Sequence, residues 1–180
     1  MSFFSAYNGL VLLGATMPLE IVVIGLVLAA GADFNYFTWW GMLFMMITLI
    51  VAAAPLPQSI VDRIKLAFLC NSMLISLAMP VMSFIGCQTL VNNAVAIGPI
   101  TYAAGNFLIH YWPSVRAVSM APFRVDAALT LDGAALAVAF VLVFNPSDTY
   151  GCMPINRAEF MIGAGVGAAV IEGIARQILA

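Results

Sequence analysis

Apolar runs long enough to cross a bilayer recur along the whole chain, broken only by short segments marked by proline, glycine and charge. A helix needs about 20 apolar residues to span the hydrocarbon, and the runs fall at about 10–30, 36–54, 66–85, 99–120, 127–144 and 160–179. Lipid offers no water to satisfy an open backbone, so runs of this length are read as helices. The expected fold is all-α, a polytopic transmembrane bundle of about six helices forming one domain over residues 1–180. Composition agrees with this reading: only 8% of the residues are charged, against about 25% in a soluble domain. Such a surface would expose far more apolar area than water tolerates, so it should face lipid.

Pro18 and Pro80 fall inside the first and third runs and read as kinks, because neighbouring helices can satisfy the freed carbonyls. The fourth run is framed by two prolines. A helix from about Leu90 to Tyr111 is one frame; a start at Pro99, a favourable first helical position, is preferred. The second frame keeps Asn92 and Asn93 out of lipid and makes Gly105, Asn106 and His110 interior positions. The first apolar stretch has no Lys or Arg ahead of it and no obvious cleavage site, so it is expected to be retained.

The basic residues divide unevenly between the two sides. Arg63, Lys65, Arg116, Arg124 and Arg176 fall on one side and Arg157 alone on the other, which places both termini in the cytoplasm. No basic run exists that could neutralise a phosphate backbone, so nucleic acid is not an expected partner. Cys87 and Cys152 fall in the two loops of the far side. They could form a disulfide if that compartment is oxidising, or remain two unpaired small residues.

Ionisable groups inside apolar runs are costly and face the bundle interior. They are Glu20, His110, Asp132 and Glu172. Glu172 has Arg176 one turn on, the spacing of a structural ion pair. Glu20 and Asp132 have no cation nearby in sequence, so each is either a hydrogen-bonded neutral carboxyl or part of a polar pocket. His110 is the only histidine, and Asn106, four residues earlier, shares its helix face.

The string Asn35-Tyr36-Phe37-Thr38-Trp39-Trp40 at the head of the second run, with Asn106 and His110 two runs later, resembles the androgen-induced membrane hydrolases and their rolling-stone-like relatives. Those six-span proteins are threonine hydrolases that cleave esters of fatty acids with hydroxy fatty acids inside the membrane. The resemblance implies Thr38 as nucleophile and His110 as general base, acting on membrane lipids. The sequence departs from the family in the Tyr111-Trp112-Pro113 that follows the histidine. An alkyl hydroxyl needs an adjacent base, which a neutral imidazole supplies, and Asn106 could orient the ring or donate to an oxyanion. Thr38 could equally cap its helix, with Tyr36, Trp39 and Trp40 forming an interfacial aromatic belt. The pairing also has a geometric requirement. His110 lies about eleven residues, roughly 16 Å, down its helix, so the second helix must be sunken or re-entrant, or the fourth tilted.

Two other classes fit the same residues. A small channel or carrier would use Glu20, Asp132 and Glu172 as a polar path. An accessory subunit of a larger membrane complex would pack against a neighbour through Gly163, Gly165 and Gly167, which include one Gly-x-x-x-Gly pair, Gly163 and Gly167. In a pigment-bearing complex His110 could ligate a chlorophyll magnesium, but with a single histidine no metal and no cofactor is expected.

Overall fold

The computed structural model describes residues 17–26, 28–29, 37–84, 98–120, 130–143 and 156–178. Those residues form six helices and no strand. They are α1 (Met17–Leu26), α2 (Phe37–Ala53), α3 (Gln58–Phe84), α4 (99–119), α5 (Asp132–Val143) and α6 (Arg157–Ile178). Two segments, Gln58–Val81 in α3 and Arg157–Ile178, are long and apolar enough to cross a membrane; α1, α2 and α5 are shorter apolar helices. Cys87 and Cys152 lie outside the described residues, as do Asn92, Asn93 and Arg124.

The helix boundaries follow local chemistry that hydropathy does not register. α3 begins at Gln58, eight residues before the expected start near Leu66, directly after the Pro55-Leu56-Pro57 turn. Its polar first turns are supported internally, since Gln58 Nε2 donates to Asp62 Oδ1 at 2.8 Å and Lys65 lies 3.7 Å from the same oxygen. α6 begins at Arg157 because Asn156 and Glu159 form a reciprocal cap. The Glu159 N–H donates to Asn156 Oδ1 at 3.0 Å, and the Asn156 N–H donates to Glu159 Oε2 at 2.8 Å.

α5 starts later than expected, and Asp132 is its first residue instead of lying six residues inside it. Leu131 has φ +56° and breaks the helix there. α4 begins at Pro99 after Gly98, whose φ of 83° suits only glycine without strain. It is interrupted by a π-helical turn, Phe107–Tyr111, that ends two residues before Pro113. Proline returns no N–H to the carbonyl four residues back and crowds it, and a local change to the wider register relieves both problems.

α3 is the central element and packs against α2, α4, α5 and α6. Phe68, Leu69, Cys70, Asn71, Ser72, Ile75 and Ser76 are all buried, so this helix is enclosed on most sides. Close approach depends on small residues: a Cβ on Gly41 would lie 2.6 Å from Ile75 Cδ1, and one on Gly133 would lie 2.6 Å from Cys70 Cβ. Two ion pairs and one hydrogen-bonded contact orient the helices. They join the start of α3 to the start of α5, the first turn of α1 to the last turn of α4, and the last turns of α6 to the residues just before α5. At the opposite end Arg157, which opens α6, donates to the carbonyls of Val141 and Leu142 that close α5. α3 and α5 therefore run parallel, and α6 runs antiparallel to both. Large apolar side chains cover the outside, among them Leu19, Leu26, Ile100, Val143 and Ile162.

Candidate active site

Phe37 opens α2 with its ring 4.6 Å from that of Phe140, which anchors the start of the helix on α5. Trp40 meets the same ring edge-on, with centroids 6.3 Å apart. That leaves the next face of α2, Thr38, Met42, Met45 and Leu49, turned into the bundle, and all four are buried. Thr38 thus stands at the head of a buried stripe, 9% exposed.

His110 reaches that hydroxyl from α4. Thr38 Oγ1 and His110 Nε2 are 3.2 Å apart, and His110 Nδ1 is 3.3 Å from the main-chain carbonyl of Asn106. A carbonyl only accepts, so Nδ1 carries the ring proton and donates it to Asn106. Nε2 then presents its lone pair, and the Thr38 hydroxyl donates to it. This is the hydroxyl, base and orienting acceptor series that activates an alcohol nucleophile. The orienting group is the main-chain carbonyl of Asn106, where the side-chain amide was expected.

The required depth is met by the length of α4. The π turn packs on α3 and α2, and the eight residues before it, Pro99–Asn106, include no buried side chain, so roughly 12 Å of helix precedes the level at which α4 meets α2. The π turn then lies beside the start of α2 instead of a span's half-width below it. Two serines secure this turn. Ser76 Oγ donates to the His110 carbonyl at 2.5 Å, and Ser114 Oγ lies 2.6 Å from Ser76 Oγ. Neither serine was singled out from the sequence, although Ser114 follows His110 by the same four residues that separate His110 from Asn106. Ser72 and Ser76 repeat that spacing on α3.

The three carboxylates sit elsewhere, each with an arginine. Glu20 Oε2 accepts from Arg116 Nε at 2.9 Å, both side chains being largely buried. Asp132 accepts two bonds from Arg63, at 2.7 and 2.8 Å. Glu172 accepts from Arg176 at 2.8 Å, the pairing its spacing indicates. Neither Glu20 nor Asp132 is hydrogen-bonded to Thr38 or His110. Asp132 and Arg63 instead line a shallow groove of about 280 Å³ with Phe44, Ile60, Ile64, Ala67 and Leu136. Among the described residues, no group of three or more His, Cys, Asp or Glu side chains is placed to hold a metal ion.

The glycines of α6 divide between two surroundings. Cβ atoms on Gly165 and Gly167 would lie 3.0 Å from Val138 Cγ2 and 2.9 Å from Leu74 Cδ1, so both abut the bundle, while one on Gly163 would meet nothing within 4 Å.

What the fold and this site define together is a helical bundle with an internal threonine and histidine in hydrogen-bond contact. No protein-family model, curated protein or solved structure matches the chain.

Proposed function

We propose that the chain is a multi-spanning integral membrane protein with cytoplasmic termini that hydrolyses esters of long-chain lipids, with Thr38 as nucleophile and His110 as general base. The 3.2 Å contact between Thr38 Oγ1 and His110 Nε2, with Nδ1 held by the Asn106 carbonyl, carries the reading. The membrane part is supported by the two long apolar helices and by large apolar side chains on the outward faces of the others.

In the reaction, Thr38 Oγ1 attacks the acyl carbon while its proton passes to His110 Nε2. The carbon–alkoxy bond then breaks, and the Nε2 proton goes to the departing alcohol. Water, deprotonated by the same imidazole, hydrolyses the acyl-threonine and returns both side chains to their starting state. Ester and water give acid and alcohol. A fluorophosphonate probe should label the purified protein at Thr38, and Thr38→Ala and His110→Ala should each abolish labelling while the protein remains folded. Undiminished labelling in both variants overturns the reading.

The exposed stripe Ile162, Val166, Val170 and Ile174 on α6, beside the open space at Gly163, favours a second reading, a subunit that packs against a membrane neighbour. Its signature is co-purification of a partner that Val166→Trp releases.

A further inference from the structure

We infer that Ser76 is a positioning residue for the imidazole of His110, acting from α3 through a two-serine relay; the inference rests on the Thr38 and His110 reading given above. The donor assignments follow from the atoms available. The His110 carbonyl can only accept, so the single Ser76 proton is spent on it at 2.5 Å. The Ser114 hydroxyl must then donate to Ser76 Oγ across the 2.6 Å that separate them. Both serines are buried.

The relay acts where α4 is least able to hold itself. His110 belongs to the π turn Phe107–Tyr111, and Pro113 supplies no N–H to the carbonyls behind it. A π turn competes with ordinary α register, in which side chains rotate and shift along the axis. Ser76 is on the central helix, which also packs against α2, and its bond ties the His110 backbone to the same scaffold that carries Thr38. Ser76 thereby sets where Nε2 stands relative to Oγ1. It touches neither the substrate nor the reacting atoms.

The presence of a single histidine makes a direct test available. Protein labelled with 15N in histidine and reconstituted in lipid nanodiscs gives one imidazole, whose two nitrogen shifts report the tautomer. Wild type and Ser76→Thr should show the Nδ1-protonated form alone, and Ser76→Ala a mixture of tautomers. The rate of fluorophosphonate labelling should fall by about ten- to a hundredfold in Ser76→Ala, the scale of a misplaced catalytic group, and recover in Ser76→Thr. Ser114→Ala, which leaves the Ser76 bond to the carbonyl, should lose less than Ser76→Ala. A Ser76→Ala protein with the wild-type tautomer and the wild-type rate overturns the inference while leaving the dyad standing. If the wild type is not labelled at Thr38, the dyad reading fails, and the tautomer comparison still decides whether Ser76 places the ring.

Discussion

Glu172 Oε2 accepts a hydrogen bond at 3.0 Å from the main-chain N–H of Leu131, a residue held at φ +56°. The other oxygen of the same carboxylate accepts from the Thr130 N–H at 2.7 Å, from the Thr130 hydroxyl at 3.0 Å and from Arg176 Nη2 at 2.8 Å. One buried acid of α6 therefore caps the approach to α5, neutralises its own arginine and holds a leucine in a backbone region that costs about 1–2 kcal/mol. Asp132, the next residue, is thereby placed to receive Arg63 from α3.

Replacing Glu172 by alanine removes all of these bonds, its pairing with Arg176 included. Removing one partner of a buried pair costs about 3–5 kcal/mol, so Glu172→Ala should unfold at markedly lower denaturant in detergent. Glu172→Gln keeps an acceptor and should fall between the two. A loss in Glu172→Ala below about 0.5 kcal/mol, typical of a surface change, would mean that the cap does not hold α5.

Leu131 offers the opposite sign. Its side chain is 45% exposed and so loses little packing when removed, while glycine adopts its φ freely. Leu131→Gly should be neutral or stabilising by up to about 1 kcal/mol, read as an unchanged or raised unfolding midpoint. Clear destabilisation would show that the leucine side chain, and not the Glu172 bonds, holds this bend.

The six apolar runs are legible in hydropathy because lipid and bundle interior make the same demand on side chains, and α2 departs from its expected ends by only one residue on each side. What hydropathy cannot see is polar chemistry at helix ends. The Asn156 and Glu159 cap and the Glu172 cap of α5 each move a boundary, and the second joins residues 41 apart in sequence. The partners of Glu20 and Asp132 were illegible for the same reason, since Arg116 is 96 residues from Glu20 and Arg63 is 69 from Asp132. At the candidate site, the fourfold spacing placed Asn106 and His110 on one face, and resemblance alone joined His110 to Thr38. The π turn, and with it Ser76, depends on how α3 crosses α4, which no local pattern encodes.

Gly133 and Gly163 provide a matched comparison on two helices. At Gly133 an added Cβ would sit 2.6 Å from Cys70 Cβ and 3.6 Å from the Ala67 carbonyl, and Asn71 Nδ2 donates to the Gly133 carbonyl at 3.1 Å. Overpacking of this kind costs about 1–3 kcal/mol and outweighs the gain of up to about 1 kcal/mol from alanine's helix propensity. Gly133→Ala should lower stability and Gly163→Ala, with open space around it, should raise it slightly. Equal effects in thermal unfolding would contradict the close crossing of α3 and α5.

The last prediction concerns sidedness. Arg63, Lys65 and Arg176 lie at the end of the bundle where α3 begins and where α6 finishes, and Arg157 lies at the other. The contacts of Asp132 with Arg63 and of Glu172 with Leu131 both belong to the first end, so the division does not depend on where any single helix is drawn. On the proposed membrane reading, basic residues are retained on the cytoplasmic side during insertion, which would make that end cytoplasmic and put Thr38, in the first turn of α2, in the opposite half of the bundle. In a background with Cys70, Cys87 and Cys152 replaced by alanine, a cysteine at exposed position 63 should react with an impermeant maleimide only after the membrane is opened. One at exposed Ala158, a residue past Arg157, should react in intact cells. The reverse pattern would invert the bundle, and labelling of both positions from one side would contradict α3 and α6 entering from opposite ends.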